Sequence, residues 1–353
     1  IVGASDKINF NISGSILDNP GLISGTDMRR YYVRSNVIAR ITDWLQIGNR
    51  THGFNNTVGL ANLSDYLTGI GGTRNSPGIY PFYDGKFGGV EANEENPESI
   101  NPLWRINELK GSTYINQINT SLFADVTFFK DFVYHIGFDY SRSWTKQKYH
   151  QTSDGQYSFR KDTYTRQPKL LTELSTYFSQ SDAYRWRFEQ TLVYNKTLNK
   201  IHEVGALAGF EEMYFFSESI AAQKQGLLDE AITNFSSSTT MMSITGTDTD
   251  FASRSFFGRI TYAYDSRYLF EANLRYDGSS RFSPESRWGL FPSFSAGWRL
   301  SQEDFMADSP FDNLKLRASW GKLGNNSIGN YDWQATYGAS NYSMAGKKIS
   351  GLA

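Results

Sequence analysis

The chain has 353 residues, with 35 Lys and Arg against 36 Asp and Glu and a formal net charge of −1. That balance argues against a nucleic-acid partner, which needs a basic excess or stripe, and the absence of cysteine removes disulfide frameworks, thiol catalysis and cysteine-based zinc sites. Aromatic residues make up 16% of the chain while its mean hydropathy is −0.49, and no stretch approaches the roughly 18 consecutive apolar residues of a membrane-spanning helix.

In chain order, alternation predicts strands near 7–17, 28–42, 44–57, 113–129, 132–145, 184–197, 200–217, 251–265, 267–278, 287–300, 314–324 and 331–340. In 132–144, Phe132, Tyr134, Ile136, Phe138 and Tyr140 alternate with His135, Gly137, Asp139 and Ser141. In 268–277, Tyr268, Phe270, Ala272, Leu274 and Tyr276 oppose Leu269, Glu271, Asn273, Arg275 and Asp277. The run from Trp288 to Leu300 repeats the split with only Phe291 out of place, and Leu314, Leu316, Ala318 and Trp320 oppose Lys315, Arg317, Ser319 and Gly321. Helical periodicity is scarce, 219–232 being the best short candidate.

The connections alternate in size. Tight ones fall near Thr42-Asp43, Lys130-Asp131, Asn199-Lys200 and Ser266-Arg267, and long ones at 55–112, 146–183 and 218–250, where alternation dissolves into Gly, Asn, Ser, Pro and charge. An up-and-down meander with short turns at one rim and long loops at the other is the plan of an outer-membrane barrel. The segment 168–180 resembles a thirteenth strand. As a spanning strand it would put the tight Asn199-Lys200 turn on the long-loop rim, so it is assigned to a loop excursion.

Spacing supports a membrane. Trp288 and Trp298 share the apolar face ten residues apart, roughly 33 Å of strand; a tilt of about 40° makes that about 25 Å of height, the thickness of the lipid-facing band between aromatic girdles. Tyr264 and Tyr268 would sit in one girdle and Tyr276 would approach the other. Rings then face lipid and charges face a wet lumen, which reconciles many aromatics with low hydropathy. The expected fold class is all-β: a transmembrane antiparallel β-barrel of about twelve strands, with long extracellular loops and short periplasmic turns. A soluble sandwich with aromatic cross-strand pairs is the competing reading.

Three stretches carry a specific resemblance: Arg275-Tyr-Asp-Gly-Ser-Ser-Arg-Phe282, Arg287-Trp-Gly-Leu-Phe-Pro-Ser-Phe-Ser-Ala-Gly-Trp-Arg299, and Leu314-Lys-Leu-Arg-Ala-Ser-Trp-Gly321 with Gly324-Asn325. In content, order and spacing they resemble the SusC/RagA family of TonB-dependent outer-membrane transporters of Bacteroidetes. Fainter echoes lie in Lys7 to Asn36, Asn101-Pro-Leu-Trp104 and Trp186 to Gly209. The resemblance implies import of a large nutrient, an oligosaccharide or a peptide, through a barrel of about 22 strands filled by a plug. It also implies a SusD-like lipoprotein cap, energy from a TonB–ExbB–ExbD complex acting on the plug, and a dimer of such capped units. Residues 1–353 are then expected to be a barrel segment, about twelve strands of about 22, with the plug, TonB box and C-terminal strands outside the chain. Other expectations are a passive porin or adhesion barrel, separated by an upstream TonB box, and a soluble carbohydrate-binding β-protein.

Catalytic chemistry finds little support and no cofactor is expected. His52, His135, His150 and His202 lie on separate elements, and no nucleophile elbow or phosphate loop occurs; Gly69-Ile-Gly-Gly72 reads as a loop tip. Asp248 and Asp250 are weak candidates for a cation, against ordinary loop chemistry, and Glu91, Glu94, Glu95 and Glu98 read as a solvated acidic loop. Ligand contact fits better. Tyr80, Phe82, Tyr83, Phe87 and Trp104 lie among Asp and Glu, as rings that hold sugars or peptides do, or they pack the long loop. Arg259, Glu271, Asn273, Arg275, Arg299, Lys315 and Arg317 should point into the lumen, with Arg275 and Arg299 the candidates for cargo contact.

Overall fold

The computed structural model describes residues 1–61, 80–89, 100–307, 309–335, 339–344 and 346–352. Glu91, Glu94, Glu95, Glu98 and the glycines at 69–72 lie outside them. One sheet dominates: β1 (Val2–Ala4), β2 (Ile8–Asn19), β3 (Met28–Arg40), β4 (Leu45–Gly59), then two short strands of a long loop, β5 (Phe82–Tyr83) and β6 (Lys86–Gly88), and helix α1 (Pro102–Asn107). The wall resumes with β7 (Leu109–Phe128) and β8 (Phe132–Gln151), leaves for β9 (Gln156–Ser158) and β10 (Thr163–Arg166), and continues through β11 (Ser175–Leu198), β12 (His202–Leu227), β13 (Ser238–Tyr264), β14 (Tyr268–Ser279), β15 (Trp288–Arg299) and β16 (Lys315–Gly321). The wall's twelve strands are ordered β1-β2-β3-β4-β7-β8-β11-β12-β13-β14-β15-β16. Each neighbouring pair is antiparallel, so the wall is the meander expected.

Where the rings point separates membrane from sandwich. Among the described residues the buried apolar side chains are Phe87, Trp104, Ile106, Tyr157, Leu174, Ala222 and Leu227, all at the long-loop end. The strand centres bury none: Ile260 is 62% and Phe294 54% exposed, with Phe270, Leu274, Leu290 and Trp320 likewise open. A sandwich would cover this face with a second sheet; here the face meets lipid. Cross-strand register gathers its rings into two belts. Tyr264 stacks on Tyr268 and Tyr268 on Trp298 at the short-turn rim, while Tyr276 and Phe256 both stack on Trp288 towards the other.

Three short turns share one conformation. Phe129 and Lys130, Asn199 and Lys200, and Asp265 and Ser266 all have positive φ, the type I′ pattern whose twist matches the flanking strands. Asn and Asp suit its first position; Phe129, at φ 50, is the exception and carries the left-handed cost of a bulky residue.

The structure corrects the sequence reading at four places. The segment 168–180 is neither a loop excursion nor a thirteenth strand: from Ser175 it is the beginning of β11. The best short helical candidate, 219–232, within the expected long loop 218–250, is strand as far as Leu227, because Ser219 to Leu227 stay paired with Ser238 to Thr247. Residues 331–335 form turns where a twelfth strand was expected, and 336–338 lie outside the described residues. The remaining wall strand is the three-residue β1, while β17 (Ala339–Met344) and β18 (Lys347–Leu352) pair only with each other.

One physical cause explains the first two. The β11–β12 ladder runs unbroken for the 24 residues of β11, about 80 Å of strand or about 60 Å of height at a tilt of about 40°, far more than the roughly 25 Å lipid band. Above the bilayer neither face meets lipid, so Ser, Thr and Gln occupy both and the period of two disappears although pairing continues. Alternation marks the bilayer, not the strand. Phe291 breaks it for a different reason. It sits inward, in register with Arg275, and its ring lies over Gly289 and Gly324, where a Cβ would collide with it.

Candidate functional site

The wall's inward face carries charge of both signs. Register puts the predicted lumen residues Arg259, Glu271, Asn273, Arg275, Arg299, Lys315 and Arg317 on it together. Arg259 Nε donates to Asn273 Oδ1 at 2.9 Å and Asn273 Nδ2 to Glu271 Oε1 at 2.7 Å. Arg275 donates to Asp277 at 2.7 Å and to the Ser255 hydroxyl at 2.8 Å, and it lies over the Phe257 ring at 5.3 Å. Arg299 pairs in register with Lys315 at the short-turn end, so the two arginines proposed for cargo sit at different depths.

A longer ladder of charges crosses the middle of the wall. His135 Nδ1 is 2.6 Å from Asp125 Oδ1 and its Nε2 3.4 Å from Glu189 Oε1. Arg187 holds Asp139 Oδ2 through Nη2 at 2.6 Å and Nε at 2.9 Å, and stands 3.6 Å from Glu189 and 3.7 Å from Glu211. Glu211 is in turn 3.6 Å from Arg275. The ladder thus joins β7, β8, β11, β12 and β14, and part of it lines a recess of about 790 Å³ together with Arg34, Arg50 and His52. The sequence reading missed the ladder. Its signal was parity: Arg185, Arg187 and Glu189 share a face of β11 and, through register, of their neighbours.

Beyond the long-loop rim the chain builds a shell. β10, β9, β6 and β5 form a four-stranded sheet in that order, and α1 packs beside it. Pro102 opens the helix, where a missing N–H costs nothing, and Asn101 caps it: Oδ1 accepts from the Leu103 and Trp104 amides at 2.9 and 3.3 Å, and Nδ2 donates to the Pro81 and Gly88 carbonyls at 2.7 and 2.9 Å. Trp104, 1% exposed, is the shell's keystone; its indole donates to the Asp154 carbonyl at 2.7 Å and Arg166 lies over its ring at 4.9 Å. Glu108 follows the helix and receives Lys169 at 2.9 Å and Arg105 at 2.6 Å. Burial pushes its carboxyl up, but the two cations outweigh that and hold it below the ordinary value.

The five rings expected to meet a ligand therefore divide. Trp104 and Phe87 are buried and fill the shell, with Phe82 edge-on to Phe87 at 4.9 Å. Phe82 itself stays open, and Tyr80 and Tyr83, each 63% exposed, flank Phe159 at 5.8 and 5.6 Å on the outer surface. Asp248 and Asp250 lie two apart on β13. Asp250 accepts from the hydroxyls of Tyr331 and Tyr214 and Asp248 is in register with Glu218; among the described residues no group of three or more metal-ligating side chains occurs.

Comparison with known proteins agrees with this architecture. The chain is 28% identical over 368 residues to TonB-dependent receptor P26 of Formosa agariphila, covering 100% of this chain and 35% of that protein. It is 26% identical over 348 residues to TonB-dependent receptor SusC of Bacteroides thetaiotaomicron, covering 93% of this chain and 33% of that protein. It thus spans about a third of the length of either relative. The RagAB peptide transporter structure has the same fold, with a TM-score of 0.79 and 21% identity over 100% of this chain and 39% of that one. A family model described as TonB dependent receptor-like, beta-barrel matches residues 47–347. The chain belongs to that family and forms part of the wall of an outer-membrane β-barrel.

Proposed function

We propose that the protein containing this chain imports a large polar nutrient, an oligosaccharide or a peptide, across the outer membrane with energy supplied through TonB. The observation that carries this reading is the wall's two-sidedness. Its outer face is apolar from belt to belt, and its inner face presents a mixed-sign ladder from Asp125 to Asp277 around a recess of about 790 Å³. Such a surface offers donors and acceptors to a polar cargo without one deep apolar pocket. Family membership favours coupling to TonB over a passive pore.

In this reading Tyr80, Phe82 and Tyr83 are the first surface a cargo meets outside the cell, and Arg275 and Arg299 are successive contacts on the way down. Phe87 and Trp104 support the shell. A SusD-like lipoprotein would sit over the long-loop rim, as the kinship to SusC and the fold shared with RagAB support, and a plug held elsewhere in the protein would face the charge ladder.

Uptake of labelled oligosaccharide and peptide mixtures by cells, with and without a proton uncoupler, tests the proposal. Active import predicts that uptake collapses when the gradient is removed or TonB is deleted. Uptake that persists in both conditions would replace import with passive diffusion, the porin reading.

A further inference from the structure

On the short-turn rim, the connection 300–314 between β15 and β16 is not tight. It holds two 3₁₀ turns, Leu300–Gln302 and Asp304–Met306, and its course is set by Glu303. The Trp298 indole donates to Glu303 Oε1 at 2.8 Å, the Tyr268 hydroxyl also donates to that carboxylate, and Arg267 Nη1 stands 3.6 Å from Oε2. Trp298 and Tyr268 belong to the lipid-facing side, in a row that register extends as Tyr264, Tyr268, Trp298 and Leu316 across four strands. The connection therefore folds over the outside of the wall. Phe305, 69% exposed, meets Trp298 edge-on with ring centroids 6.4 Å apart.

We propose that residues 300–307 of this connection form an interfacial foot that rests on the periplasmic leaflet, with Phe305 inserted at the boundary between headgroups and acyl chains. Three features assign lipid as the occupant. The exposed ring is continuous with the girdle, which is already in lipid. Glu303, two residues before Phe305, is turned back onto the belt and satisfied by a tryptophan, a tyrosine and an arginine, so its charge does not enter the interface unpaired, while the exposed Asp304 is left to the headgroup side of the ring. Aromatic rings beside polar groups are the side chains that favour this depth. The foot would fix the height of β14, β15 and β16 in the bilayer.

The chain's lack of cysteine makes site-directed labelling direct. In the intact protein reconstituted into phosphatidylethanolamine–phosphatidylglycerol vesicles, any native cysteine elsewhere in it being replaced, a nitroxide is attached to Phe305→Cys. Its collision rates with oxygen and with a water-soluble nickel chelate are measured, with Phe294→Cys as the mid-bilayer reference and Ser266→Cys as the rim reference. The expected result is an oxygen-to-nickel ratio at 305 severalfold above that at 266 and below that at 294. Glu303→Gln should then lower the ratio at 305 towards that of 266 while heat-modifiable gel mobility shows an intact barrel. A ratio at 305 equal to that at 266 in the parent would mean that the foot hangs in water. Shielding from both reagents would mean that it packs on protein. Either overturns the proposal.

Discussion

The wall and the shell come from one aromatic-rich chain and hide their rings in opposite directions. In the wall, Ile260, Leu274 and Phe294 point outward and the interior is left to Arg187, Glu211 and Arg275. In the shell, Trp104, Phe87 and Leu174 turn inward, together with polar groups such as Asn101 that are hydrogen-bonded there. The difference is the solvent. A shell standing in water must make its own small core, whereas a wall in lipid has its apolar environment supplied and needs only a closed backbone ladder.

The largest test of that contrast is on the shell side. Trp104→Ala removes the one large ring that is fully covered among the described residues and should cost about 3–5 kcal/mol, confined to the loops. Limited proteolysis should cut near residues 80–110 while the wall keeps its heat-modifiable mobility on gels. Loss of both together would mean that shell and wall fold as one unit. On the wall side, Leu274→Arg should cost roughly 2–4 kcal/mol at mid-depth and lower the yield of assembled barrel. Arg275→Leu, one residue away on the wet face, should assemble normally. Equal tolerance at the two positions would reject the assignment of faces.

The same contrast governs what could be read from sequence. Faces and belts were legible because lipid on one side and water on the other impose a period of two, and Trp288, Trp298, Tyr264 and Tyr268 lie where that pattern put them. It failed where that asymmetry ends. Ser175 to Ser181 and Ser219 to Leu227 are strand beyond the lipid band, where neither face meets lipid and the shell covers side chains such as Thr176, Ala222 and Leu227, so their composition reads as loop or helix. Phe291 faces inward because Gly289 and Gly324 leave room for its ring, and Gly324 lies on a distant part of the chain. The charge ladder was visible only as parity within each strand; which charges meet depends on register between strands, and no single strand encodes that. The loop rings looked alike in sequence, yet Asn101's cap and the short helix bury Trp104 while Tyr80 and Tyr83 stay open.

Acid should act on the shell before the wall's ladder of hydrogen bonds. Glu108 has a folded pKa below its ordinary value of 4.5 because Lys169 and Arg105 outweigh the burial of its carboxyl. Its contribution to stability is therefore complete at neutral pH, where both folded and unfolded forms are ionised, and is lost as pH falls through the folded value. Protease resistance of the shell should decline below about pH 4.5 in the parent and more weakly in Glu108→Gln, which starts from a less stable shell. Identical acid profiles would remove Glu108 as the cause.

The smallest effect sets two ion pairs against each other. In one pair the Glu108 carboxylate is shielded by the shell, 10% exposed, with Lys169 at 31%, whereas Arg187 and Asp139, 42% and 34% exposed, both stand in the wet lumen. Geometry alone would rank the lumen pair higher, since Arg187 reaches one carboxylate oxygen through two nitrogens at 2.9 and 2.6 Å. Solvent should reverse that order. Water and salt screen an exposed pair to about 0.2–1 kcal/mol, and Arg187 has Glu189 and Glu211 nearby to take up the lost contact. A double-mutant cycle on Arg187→Met and Asp139→Asn should give a coupling in that range which shrinks further between 0.05 and about 0.5 M salt, as the Debye length falls below about 10 Å. The cycle on Glu108 and Lys169 should give a larger coupling with little salt dependence. A lumen coupling as large and as salt-resistant as the shell's would mean that the inner face is dry, and the view of the wall as a sheet between lipid and water would have to be given up.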